Sequence, residues 1–245
     1  MPLDSTEAVD GRAGGDRLRW ALEHLEGSAG ALHSRDLPDP ATRTISVLEV
    51  DHPALVLGST QPEHHADGEA LSAAGIELVR RRSGGGAVLL VPGQALWLDA
   101  VVPRGDPLWD DDVGRATHWL GATWVRALAA LGVAATVHTG GLVASRWSTM
   151  VCFAGLGPGE VTAGGRKVVG IAQRRTRGGT RFQCIVLPRW DPATIIDLLR
   201  LDSGTKVEAV AQLGAVASGV DRPRHQVLDA LVAALPDAEV WRVRE

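Results

Sequence analysis

The chain has 245 residues, 45% of them apolar, and a formal net charge of −4. That length accommodates one large α/β domain, or one domain with a small appendage, and supplies enough apolar material for a sizeable core. The slight acidic excess excludes generic nucleic-acid binding, which takes a broad basic surplus, and no apolar run is long enough to span a bilayer.

Residues 1–15 are polar and glycine-rich, which predicts a loose tail. They lack the basic-then-apolar order of a secretory leader. DRLRWALEHL (16–25) places Leu18, Ala21, Leu22 and Leu25 on one helical face and predicts a helix. Short apolar runs at 44–50, 54–59, 76–81, 87–92 and 95–103, bounded by Gly, Pro and Asp, predict strands. Asp110, Asp111 and Asp112 then precede a predicted helix over 113–131. Its apolar stripe is Val113, Ala116, Leu120, Trp124, Leu128 and Leu131, and Gly132 marks its stop. Further strands are expected at 134–138, 150–154, 167–173 and 181–187, the last two joined as a hairpin through RRTRGG. Asp191 and Pro192 predict the start of another helix, LDSGT (201–205) a linker, and 224–235 a final helix.

Strands in runs, without strict helix alternation, give an α+β fold: a mixed, largely antiparallel sheet flanked by helices. The expected division is a tail (1–15), a catalytic domain (16–200) and a small helical C-terminal segment (201–245). Two cysteines, Cys152 and Cys184, are too few for a disulfide framework or a thiolate zinc site, so a cytoplasmic location is expected. The cations are nearly all arginine; the lysines are Lys167 and Lys206 alone.

Two motifs carry chemistry. VRRRSGGGAV (79–88) sets three glycines beside three arginines between two strands. Glycine permits close backbone approach and leaves N–H groups free for an anion, while the arginine fork neutralises phosphate or carboxylate. The plainer reading is a flexible loop beside surface arginines. It is neither a P-loop nor a Rossmann turn, because GK[ST] and GxGxxG are both missing. GGRKVVGIAQRR (164–175) opens a strand with Lys167, on a face shared with Val169, Ile171 and Gln173. Either that lysine meets an anion or it sits at a strand edge in water.

RRxSGGGAV followed by GRKxxGxAQ resembles the lipoate–protein ligase and octanoyltransferase family, whose catalytic fold is shared with biotin–protein ligases. ALVLGSTQP (54–62) agrees with that family's early strand, so the resemblance covers about residues 45–190. It implies that Arg80, Arg81, Ser83, Gly84, Gly85, Gly86 and Ala87 line the acyl and adenylate pocket. It further implies that Lys167 contacts the acyl carbonyl and the phosphate, and that Gly170, Ala172 and Gln173 wall the pocket. Leu57, Val88, Val169 and Ile171 are candidates for the apolar slot. Cys152, in VCFAGLGPGE, resembles the nucleophile of the cysteine-dependent transferases; otherwise it is a small core residue. Cys184 reads as core.

The expected function is transfer of a lipoyl or octanoyl group to a lysine of a lipoyl carrier domain, either a 2-oxoacid dehydrogenase E2 subunit or the glycine cleavage H protein. The first route is an ATP-dependent ligase forming an acyl-adenylate from lipoate or octanoate with ATP and Mg2+. The second is an octanoyltransferase that draws on an acyl carrier protein through a Cys152 thioester and needs no cofactor. A biotin ligase lacks its Gly-Arg-Gly-Arg-x-Gly-Arg loop here, and a non-catalytic lipoate-binding protein is the last alternative. The sequence departs from the family at Leu90 and Val91, where histidine and aspartate usually follow the glycine loop. No resident metal, nucleic acid or membrane partner is expected. The acidic run 110–112 reads as helix capping, and His64, His65 and His138 read as loop residues.

Overall fold

A computed structural model describes residues 19–237 and 240–242. The expected tail at 1–15 lies outside these residues. The main sheet is built from β1 (Trp20–Gly27), β2 (Thr44–Val50), β6 (Leu96–Pro103), β7 (Ala135–Val137), β8 (Val161–Ala163), β9 (Arg166–Arg175), β10 (Gly179–Val186) and β11 (Val240–Arg242). Their order is β11-β1-β2-β6-β10-β9-β8-β7, parallel at β11-β1-β2 and antiparallel beyond. A second sheet holds β3 (Ala54–Leu57) between parallel β4 (Glu77–Arg80) and antiparallel β5 (Val88–Leu90). The fold is α+β, with largely antiparallel sheets flanked by helices.

The helices are α1 (Ala29–Ser34), α2 (Gly68–Ala74), α3 (His118–Ala130), α4 (Pro192–Ile196), α5 (Ser203–Val216) and α6 (Arg224–Ala234). On one face of the main sheet, α3 and α6 bury Leu120, Trp124, Leu128 and Leu231 against Trp20, Leu98 and Phe182. On the other face, Leu48, Trp97 and Ile185 meet Val56, Val79 and Leu90 of the small sheet. The space between the two sheets is where the site forms.

Four expectations are corrected. The predicted helix at 16–25 is a strand where the structure describes it: Trp20–Gly27 runs parallel to both β2 and β11, and this pairing overrides the helical preference of Ala, Leu and Glu. The 150–154 run is not a strand. Val151 makes a single bridge to Ala87, and Cys152–Ala154 then turns as a 3-10 helix. The 113–131 helix starts at His118, after a 3-10 turn over Arg115–Thr117. Asp112 Oδ1 accepts from Gly114 N and Arg115 N, and Val113 is exposed and leaves the apolar stripe. LDSGT is no linker: Asp202 caps α5, accepting from Thr205 N at 2.9 Å. The segment after residue 200 carries α5, α6 and β11. Ala217 bridges Lys167 on β9, and α6 packs on α3. No helix among the described residues is long and apolar enough to cross a membrane.

Candidate functional site

The glycine loop leaves β4 and folds onto two other segments. Arg81, although only 5% exposed, is held entirely by carbonyls: its guanidinium donates to Val56 O (3.2 Å), Gly84 O (2.7 Å) and Gly86 O (2.8 Å). Burial holds its pKa below the ordinary arginine value. Gly85 takes φ +99°, which favours glycine. Backbone approaches are close: a Cβ on Gly58 would lie 1.8 Å from Gly85 O, and one on Gly86 2.5 Å from Val151 N. Ala87 N donates to Met150 O (2.8 Å), and Cys152 N to Ala87 O (3.0 Å), so backbone bonds fix the loop beside Cys152. Gly58→Ala therefore forces one backbone segment off the other. A loss of about 1–3 kcal/mol is expected, read as a lower thermal midpoint.

Lys167 is 3% exposed and has three acceptors: Glu160 Oε2 (2.7 Å), Cys152 O (2.9 Å) and Gly155 O (3.0 Å). Burial alone would depress its pKa, but the Glu160 carboxylate and the Cys152 sulfur together outweigh it and the pKa is raised. Both oxygens of Glu160 are engaged. Oε2 also accepts from Gly157 N (2.7 Å), and Oε1 accepts from Ile171 N on β9 (3.0 Å). One ion pair thus clamps the Cys152–Gly157 turn to β9.

Cys152 is half-buried and faces a narrow cavity between the sheets, of about 420 Å³ with its mouth. A Cβ on Gly85 would stand 2.9 Å from the Arg81 guanidinium and 3.9 Å from Cys152 Sγ, so thiol and cation both flank Gly85. The other walls are apolar: Val56, Val88, Leu90, Trp97, Ile171 and Ile185. Leu90, standing where the family usually has histidine, makes this wall greasy. One polar chain crosses it. Ser83 Oγ donates to Gln183 Oε1 (2.7 Å), and Gln183 Nε2 lies 3.2 Å from His33 Nδ1, whose ring rests on Trp97 at 4.4 Å.

Burial, with help from Arg81 and Arg181, lowers the His33 pKa to about 3, so the ring is neutral; burial pushes neighbouring Asp99 up to about 7. The two act on stability with opposite sign. Below about pH 6.5 the unfolded chain takes up a proton that folded His33 refuses, so stability falls as pH drops towards 3. Between about pH 4 and 7 folded Asp99 keeps a proton that the unfolded chain has released, so stability falls as pH rises through that window. Thermal melts from about pH 4 to 7 should show wild type nearly level from this pair, His33→Asn declining with pH relative to it, and Asp99→Asn rising. Parallel curves for all three would refute both assignments.

The structure brings Arg81, Ser83, Cys152, Gly170 and Ala172 to the cavity wall, with Gly84, Gly85, Gly86 and Ala87 framing it. Arg80 instead braces the turn after β3 through Gly58 O and Gln61 O. Gln173 lies on the far side of β9, donating to Val113 O, so it does not wall the cavity. Of the proposed slot residues, Val88 and Ile171 line the cavity and Leu57 and Val169 do not. Lys167 faces an adjoining cleft with Val143, Gly155 and Val216, and reaches the cavity through the Cys152 carbonyl. Cys184 is core, its thiol pushed up to about 12 by burial. Sequence reasoning missed Glu160, His33 and Gln183. A lone carboxylate in the otherwise uncharged run between Cys152 and Gly165 was the available signal for Glu160.

The model of the family described as "Lipoyl protein ligase A/B catalytic domain" matches residues 31–231. The chain belongs to that family. Among curated proteins, the octanoyltransferase LipM of Kyrpidia tusciae is 32% identical over 176 residues, covering 70% of this chain and 62% of that protein. The chain therefore spans less than two thirds of that relative's length. Among solved structures, a bipartite lipoate protein ligase of Thermoplasma acidophilum superposes with TM-score 0.72 at 17% identity, over 93% of this chain and 86% of that one. Lipoate-protein ligase A bound with ATP gives 0.68 at 20% identity, over 93% and 90%. At these identities the two structures show a shared fold. The family match and the shared fold agree with one another.

Among the described residues, no three His, Cys, Asp or Glu side chains gather to hold a metal. A second cleft, of about 1210 Å³ with the open space at its mouth, lies beside β5 and is lined by Ala87, Gln94, Phe153, Arg189, Trp190 and Asp191.

Proposed function

We propose that this enzyme moves an octanoyl group from an acyl carrier protein to a lysine of a lipoyl carrier domain by way of a thioester on Cys152. The observation that carries this reading is the Cys152 thiol on the wall of an apolar cavity, beside the Arg81 guanidinium. In the first half-reaction the Cys152 sulfur, giving up its proton, forms a bond to the donor carbonyl carbon. The donor's C–S bond breaks and its thiolate takes a proton. In the second, the acceptor lysine's amine attacks the enzyme thioester, an amide forms, and Cys152 leaves as a thiol. Negative charge collects on the carbonyl oxygen in both steps, and Arg81, a fixed cation that flanks Gly85 as Cys152 Sγ does, offsets it. Lys167 holds the Cys152 carbonyl and, with Glu160, the turn that presents the sulfur. The two unpaired thiols fit the reducing cytoplasm. The acceptor is a 2-oxoacid dehydrogenase E2 subunit or the glycine cleavage H protein.

The ATP-dependent ligase is the second reading. The cleft beside β5 supports it, because Gln94, Arg189 and Trp190 would hold a nucleotide next to the glycine-loop backbone. When bound, ATP would supply an activated phosphoric anhydride of lipoate or octanoate, with Mg2+ on the phosphates. Intact-mass analysis of an apo lipoyl domain separates the routes. A gain of octanoyl from octanoyl–acyl carrier protein without ATP, with an octanoyl adduct on the enzyme, is the expected result. A gain only from octanoate with ATP and magnesium would overturn the thioester route in favour of the ligase.

A further inference from the structure

The cavity wall is part of a two-stranded ribbon, and the ribbon continues past the cavity. In the β10–β9 register, Ile185 faces Gly170 and Gln183 faces Ala172, and these four line the cavity. The next rung on the same face pairs Arg181 with Arg174. Two further arginines arrive from other segments. Arg82 of the glycine loop pairs with Asp36 Oδ1 (3.0 Å), which also lies 3.5 Å from Arg174, while Arg181 donates to Asp36 O (3.0 Å). Arg35, paired with Glu23, lies near Arg181, whose pKa is lowered first by burial and further by the Arg35 and Arg174 cations, against the pull of the Asp99 carboxylate.

Four guanidiniums therefore gather at the cavity's end of a chain whose net charge is −4. Arg82 and Arg174 share the Asp36 carboxylate, which is 78% exposed and weakly held, while behind them Arg181 is buried against Asp99 and Arg35 is paired with Glu23. Arg177 sits exposed at the hairpin tip with no ion-pair partner among the described residues. The acidic run at Asp110–Asp112 is joined to the ribbon's opposite face through Gln173 and Arg175, so the two faces differ in charge.

We propose that this arginine-bearing face docks the acidic surface of the acyl-donor carrier protein, aligning its thioester with Cys152. The proposal rests on the thioester reading above. Arg82 and Arg174, two like charges at the surface that share one solvent-facing carboxylate, gain when a partner brings further anions. Such complementarity acts mainly on encounter rate and register. The face also adjoins the cavity along a single strand register, so a donor seated there delivers its acyl group without a further turn.

The test uses the full chain, octanoyl–acyl carrier protein as donor and an apo lipoyl domain as acceptor. Arg82→Glu and Arg174→Glu should each raise the KM for the donor by about tenfold, with kcat and the acceptor KM near wild type. Arg82→Lys and Arg174→Lys should stay near wild type, since charge carries the effect. Raising salt from about 50 to 300 mM should raise the wild-type donor KM and barely move that of the glutamate variants. A rise in the acceptor KM instead would assign the face to the lipoyl domain and overturn the proposal. So would a fall in kcat with unchanged donor KM. Absence of any transfer from the carrier by wild type would mark failure of the thioester reading itself, a result distinct from either.

Discussion

Cys152→Ser is expected to leave the protein folded and to remove transfer from octanoyl–acyl carrier protein by roughly a thousandfold or more. The change exchanges one small half-buried atom for another, at a position whose backbone N–H is already bonded to Ala87 O, so the glycine loop stays in place. The nucleophile is lost all the same, because a serine hydroxyl does not ionise near neutral pH and His33, which lines the cavity, is held at a pKa of about 3 and is too weak a base to take its proton. The octanoyl adduct on the enzyme should vanish from intact-mass spectra. A serine variant with undiminished turnover would end the thioester route. Undiminished turnover that also required ATP would establish the ligase.

The second large effect belongs to Glu160. Both partners of the Glu160–Lys167 pair are buried, with side chains 7% and 3% exposed. Removing one leaves the other's charge uncompensated, at a cost of about 3–5 kcal/mol. Glu160→Leu should therefore lower the thermal midpoint by on the order of 10 °C for a chain of this size. Lys167→Met should do so as well, by leaving the carboxylate behind. The pair exchanged together should recover much of the loss, because the desolvation of both charges is relieved at once. Activity should not recover with stability: the double variant no longer ties the Cys152 and Gly155 carbonyls to β9. Melting curves and turnover for the three variants provide the check, and strictly additive losses would contradict a coupled pair.

These two residues also show what the sequence made legible. Lys167 and the glycine loop stood out because their residue types are improbable where they stand: a lysine opening an apolar strand, and three glycines in a row. The strands of the main sheet that carry the cavity, β6, β9 and β10, were readable from short apolar runs. Glu160 was not, because its role lies in a fold-back that brings 152–157 against 167–171, and no local pattern encodes that contact. His33 and Gln183 were missed for a similar reason. One sits on a helix of six residues and the other in the middle of a strand, and they meet only across the space between the sheets. The Trp20–Gly27 strand was misread because parallel pairing to two neighbours supplied the backbone bonds that a helix would have made for itself. Which arginines of the glycine motif face the cavity was likewise hidden. Arg80 and Arg81 are neighbours in a chain that turns between them, and one braces a turn while the other flanks the thiol.

The bridge between Ala217 and Lys167 links the site to the far end of the chain. Ser218 N donates to Lys167 O at 3.0 Å, and Val216 lines the cleft that Lys167 faces. An opening of the α5–α6 connection would thus unfasten the backbone of the strand that holds the ion pair. In hydrogen–deuterium exchange, the Ser218 amide should then protect and deprotect in step with the amides of β9, and ligand binding in the cavity should slow them together.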